Sequence, residues 1–277
     1  MFPDETVASV ACRPMVEVEC VAKTVDPVTE KVITTLRCTY PRYIHAEVMT
    51  HRMFSRNASS SRAIPVAKII DQIEADPVIP LFWGSNKPGM QQGDEIDKMS
   101  AIHALGNWRT MINVAAGCAR ALNELGVHKQ YVNRLLEPFA RITTLITATD
   151  WDNFYQLRCH PMAMPEIEAL ARTMYDVQST TEARTSCYHL PFLTQDDMCQ
   201  LSLPEAYRVS SARCARVSYL NHDKSNPIIA KDLELAAKLL SDRHMSPFEH
   251  VAKAYLGRWA NFDGWRSFRN ITEGQIK

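Results

Sequence analysis

A chain of 277 residues can bury a core without disulfide or metal staples, as one large domain or two small ones. Lys+Arg and Asp+Glu each total 31, so no net field recruits a nucleic-acid polymer or an anionic membrane. A small anion held by local arginines remains open, because a bidentate guanidinium contact depends on geometry rather than on net charge. The eight cysteines are scattered, without a C-x-x-C pair or zinc-like histidine spacing, so they read as reduced and structural, with no metal expected. No N-terminal charged-then-apolar signal is seen, and no apolar run approaches the roughly 18 residues of a membrane span. The expected location is the cytoplasm.

In chain order, residues 16–40 alternate β-branched and polar residues on either side of Asp26-Pro27, which predicts a β-hairpin. The stretch RYIHAEVMTHRMFS places Ile44, Val48 and Met49 at helical spacing and then delivers a serine-rich loop, RNASSSR. Residues 71–100 carry Pro77, Pro80, Pro88 and three glycines and read as a surface excursion. Ala101 to Leu125 keeps helical spacing up to Gly126, which can end the helix with a positive φ. Further helix is expected through the segment from His128 to His160, interrupted near Pro138, and again after Pro165, so that the middle of the chain is mostly α. Residues 185–205 lack sustained period and read as a linker. A helix over KDLELAAKLLSDRH, the loop MSPFEH and an alternating strand VAKAYLGRW follow.

The densest chemistry lies in THRMFSRNASSSR, Thr50 to Arg62. It sets His51, Arg52, Arg56 and Arg62 among hydroxyls and an asparagine, a composition suited to an anion and equally that of a solvated turn. This segment resembles the signature R-H-R-x-x-S-x-N-x-x-S-x-R of the flavin-dependent thymidylate synthases, matching six fixed positions and departing only at Thr50. Two further stretches are similar to the same family. RHMSPFEH, after an A-R-V-S-Y segment at Ala215 to Tyr219 expected as a strand, resembles its H-x-[ST]-P-F-E-H block, and VNRLLEPF with DNFYQLRCHPMAMPEI resembles its helical region. In the family the PFEH block precedes the arginine motif; here it follows, which implies a circular permutation joined through 185–205.

The resemblance implies an α+β fold with a mixed sheet and a helical bundle, in a single domain: 1–184 as the arginine-motif half and 206–277 as the PFEH half. It implies FAD as cofactor, NADPH and methylenetetrahydrofolate as co-substrates, dUMP as substrate and a homotetramer. Arg52, Ser60, Ser61, Arg62, Arg134, Arg158 and Glu47 would hold the nucleotide. Within that set Arg158 polarises the base and Ser60 acts as a hydrogen-bonding member of the catalytic group rather than a nucleophile. His51, Arg52, Met53, Asn57, Asn153, His244, Ser246, Glu249 and Arg269 would lie by the flavin, with Arg269 supplying the guanidinium missing at Thr50. Ala58, Met162 and Met164 depart from the family pattern and leave room for a dUMP or dCMP hydroxymethylase; a catalytically silent flavin- or nucleotide-binding protein is a further alternative of a different class. Outside these motifs a lone histidine, an arginine on a helix surface or a tryptophan is more often structural.

Overall fold

The computed structural model describes residues 14–217 and 226–275. The alternating segments form the expected hairpin, β1 (Glu17–Val25) and β2 (Val32–Pro41), in antiparallel register from Val25 opposite Val32 to Glu17 opposite Thr39. Asp26 makes its turn by accepting from the Thr29 amide at 2.9 Å and the Thr29 hydroxyl at 2.7 Å.

Beyond one short helix, α1 (His45–Val48), the chain enters β3 (Ser55–Ala58), so the expected serine-rich loop begins as an edge strand. Helix α2 (Val66–Ala75) takes up the first residues of the expected excursion. The rest of that stretch is turns as far as α3 (Lys98–Glu124), whose first amides are capped by the Asp97 carboxylate and whose end is closed by Gly126 at φ 77°. A single turn, α4 (Lys129–Val132), precedes the main departure from expectation. Residues 141–148 are not helix but strand β4 (Arg141–Ala148), seated between β3 and β2. Its run of Ile142, Thr143, Thr144, Ile146 and Thr147 is β-branched and stiff at χ1, which suits a pleated surface better than a helix.

Helices α5 (Asp152–Arg158) and α6 (Pro165–Thr180) follow, the latter with Pro165 in its first turn as expected. The expected linker carries structure: β5 (Arg184–Thr185) pairs in parallel with β1, β6 (Tyr188–His189) pairs with a later strand, and α7 (Gln195–Gln200) follows under a Thr194–Asp197 capping box. Ala215, expected to open a strand, instead ends helix α8 (Leu203–Ala215); Ser218 and Tyr219 lie outside the described residues. Then come α9 (Ile229–Ser241), a 3-10 turn over Ser246–Glu249, β7 (Ala252–Trp259), β8 (Phe262–Ser267) and α10 (Phe268–Gln275).

The result is α+β: a five-stranded mixed sheet ordered β3-β4-β2-β1-β5 and a three-stranded sheet ordered β6-β7-β8. One face of the larger sheet, with Leu36, Cys38, Tyr40, Ile142 and Ile146, packs on Phe154, Ile167, Leu170 and Met174 of α5 and α6. On the other face β2 runs from Ile33, buried under Trp265, through Thr35 to Arg37 and Thr39 in an open cleft. Between those two ends lies a fully buried polar chain. Thr24 Oγ1 is 2.8 Å from His189 Nδ1, Thr35 Oγ1 is 2.7 Å from His189 Nε2 and 2.6 Å from Thr147 Oγ1, and Thr147 Oγ1 is 2.7 Å from His250 Nδ1. It stitches the two sheets together.

Candidate active site

Two clefts receive most of the residues singled out from the sequence. The larger encloses about 1000 Å³ over the polar end of the sheet. Its floor is Glu19, Arg37, Thr39, Thr143 and Asn57, its rim Ser60, Arg62 and Lys68, and its roof Arg216, Leu235, Leu239, His244 and Ser246. Edge strand β3 places Asn57 there and ties it to the roof, the amide donating to the Cys214 carbonyl at 2.8 Å. Arg216 is anchored by the fully buried Asp232, which also accepts from Arg213 Nε at 2.9 Å. Arg37 pairs with Glu19 across the hairpin. Ala58, the small residue noted in the motif, lines this cleft as well.

The smaller cleft, about 390 Å³, collects Thr50, His51, Arg52, Met53, Asp150, Asn153, Leu157 and Arg158. Helix α5 ends at Arg158 and directs it back to α1 and the segment that follows it. Its Nε donates to His51 Nε2 at 3.1 Å and its Nη1 to Glu47 Oε2 at 3.1 Å. His51 stands edge-on to the Phe154 ring at 4.8 Å. Burial, and then the neighbouring Arg158 and Arg56 charges, lower the His51 pKa to about 4, so the ring is neutral at physiological pH. Because Nε2 accepts from Arg158, the ring proton sits on Nδ1.

Other expected residues meet elsewhere. Ser61 Oγ donates to Glu137 Oε1 at 2.8 Å and Arg134 Nη1 to both Glu137 oxygens at 3.0 Å, so this pair converges on Glu137 and lines neither cleft. Burial raises the Glu137 carboxyl, but the Ser61 and Arg134 hydrogen bonds and the nearby Arg42 outweigh it and hold the pKa below its ordinary value. Glu249 binds Arg269 Nη1 at 2.6 Å, and Arg269 Nε binds Glu273 at 3.0 Å. Arg269, expected to stand in for the guanidinium missing at Thr50, thus carries two carboxylates and lines neither cleft. Thr50 itself donates its hydroxyl to the Glu47 carbonyl at 2.6 Å. Met162 and Met164 line neither cleft and are exposed.

Sequence reasoning missed Arg37, Lys68 and Arg216 as cations of the larger cleft, and Leu235 and Leu239 as its apolar roof. The four-residue spacing of those leucines on α9 was the available signal.

Fold and site together define an α+β protein with arginine-lined clefts fed by one motif segment. The chain belongs to the thymidylate synthase complementing protein family, whose profile matches residues 19–181, from β1 through α6. Among solved structures, the UMP/dUMP methylase PolB from Streptomyces cacaoi, bound with 5-Br UMP, is similar at 17% identity and a TM-score of 0.51, over 61% of this chain and 90% of that one. Thymidylate Synthase X from Helicobacter pylori, with FAD and dUMP, is similar at 13% identity and a TM-score of 0.36, over 53% of this chain and 67% of that one. The first likeness supports the fold. Comparison with curated protein sequences gave no match.

Proposed function

We propose that this chain is a flavin-dependent, thymidylate synthase-like enzyme. It transfers a one-carbon unit from methylenetetrahydrofolate to the pyrimidine of a deoxynucleotide monophosphate such as dUMP, with NADPH as reductant. The observation that carries the reading is Arg158, fixed between neutral His51 and Glu47 in a cleft that also holds Arg52 and Asn153. A guanidinium locked in this way is preorganised to polarise a ring carbonyl and stabilise charge as it develops at the base. Arg52 is suited to a phosphate in the same cleft, and Ser60 and Arg62 supply donors across the motif segment.

The donor set of the larger cleft fits a flavin dinucleotide: Arg37, Lys68 and Arg216 for a diphosphate, Asn57, His244 and Ser246 as hydrogen-bonding groups, and Leu235 and Leu239 as an apolar wall. When bound, FAD supplies the redox step. The residues around it bind, orient and exclude water.

The separation of the motif residues into two clefts supports a site completed between subunits, and a homotetramer is part of the proposal, as is cytoplasmic location. So is the permuted order, supported by the docking of the Ser246–Glu249 turn and the end of α8 against β3. Among the described residues no helix is long and apolar enough to cross a membrane. The departures at Thr50 and Ala58, both lining these clefts, keep a hydroxymethylase on dUMP or dCMP as a second reading.

The test is an absorption spectrum of the purified protein, then anaerobic NADPH, then nucleotide with methylenetetrahydrofolate in the same cuvette. Flavin that reduces and reoxidises only with both substrates supports the proposal, and product mass separates methyl from hydroxymethyl transfer. Binding without turnover would favour the silent protein. A protein that cannot be reconstituted with FAD overturns the reading.

A further inference from the structure

Arg158 and Glu47 do more than hold each other in place. Among the described residues Arg158 Nη2 has no protein partner, and Glu47 Oε1 has none either, while Nη1 and Oε2 join the two groups at 3.1 Å. The Glu47 side chain is 39% exposed and Arg158 lines the smaller cleft, so the pair offers a ligand a donor surface and an acceptor surface side by side. A guanidinium can only donate and a carboxylate can only accept.

We propose that Glu47 is a base-specificity determinant, and that the Arg158–Glu47 pair reads the edge of cytosine, so that dCMP is preferred to dUMP. This rests on the pyrimidine-nucleotide reading above. The cytosine edge runs from O2 through N3, both acceptors, to the 4-amino donor, which matches two guanidinium N–H groups followed by a carboxylate. The uracil edge alternates acceptor, donor, acceptor. Set against the same row, it turns N3–H towards a guanidinium N–H and O4 towards the carboxylate, like against like. Loss of the N3 proton would relieve only the first of these clashes, because O4 of the uracil anion still faces the carboxylate.

Isothermal titration of the FAD-reconstituted protein with dCMP, dUMP and the dCMP analogue lacking the 4-amino group decides the matter. The native protein is expected to bind dCMP about tenfold or more tightly than either competitor, since a site built to pair a polar group rejects ligands that leave it unpaired. Glu47→Gln, whose amide can turn either its oxygen or its nitrogen to the base, is expected to bring dCMP and dUMP within roughly threefold of each other. Equal or tighter binding of dUMP by the native protein, or an unchanged ratio in Glu47→Gln, overturns the proposal. If that variant does not fold, the native preference for dCMP over the amino-less analogue decides alone. Absence of binding by all three nucleotides removes the functional reading as well, whereas tighter dUMP binding removes only this assignment.

Discussion

At the scale of the residue, the chemistry concentrates where Arg158 meets His51 and Glu47. Replacing Arg158 by alanine is expected to lower kcat by about 100- to 1000-fold, the loss seen when one preorganised donor is removed from a developing charge. Steady-state turnover measures it. The low His51 pKa has a second consequence. A ring that stays neutral down to about pH 4 adds no ionisation near neutrality, so kcat/KM is expected to show no His51 limb between about pH 5 and 8. A limb near 6.5 that vanishes in His51→Gln would contradict this assignment. His51, Arg52 and Arg158 were legible in the sequence because they lie in motifs. The Arg158–Glu47 ion pair was not, because it joins residues 111 positions apart and forms only when α5 returns to α1.

At the scale of the element, β4 shows why a sequence period can mislead. Ile142, Leu145 and Ile146 stand three and four apart, the spacing of a helix face, and the segment follows a helical stretch. What decides is the row of threonines between them, whose hydroxyls have partners only in a sheet. Thr143 meets Thr39 at 2.9 Å, Thr144 meets Tyr40 at 2.9 Å, and Thr147 meets Thr35 at 2.6 Å. Thr147→Val keeps the shape but strips His250 Nδ1 of its partner, and leaving a buried polar group unpaired costs about 1–3 kcal/mol. Urea denaturation should show a lower midpoint at constant slope. Residues 185–205 were unreadable for a different reason: strands two residues long are too short to display any period.

At the scale of the whole molecule, the buried histidines set the acid limit. Burial lowers His250 to about 3, and burial together with the nearby His250 lowers His189 to about 3, against an ordinary value of about 6.5 in the unfolded chain. Both are therefore neutral in the fold and take up a proton more readily once unfolded. Their contribution is fully present above about pH 6.5 and is lost as pH falls towards 3. Melting temperature is expected to be level above neutrality and to decline from about pH 6.5, before most carboxylates titrate. A melting temperature constant down to pH 5 would show that the two rings do not carry this dependence.

The handover at residues 184–189 reaches further. Thr185 pairs with Val25 in one sheet, and three residues later Tyr188 pairs with Lys253 in the other. Neither sheet can be peeled away without dragging the other, and the pairing of residues so distant along the chain demands that both ends be in place first. Slowly exchanging amides in β2, β4 and β7 should therefore share one opening free energy, and the protein should lose its structure in a single cooperative event.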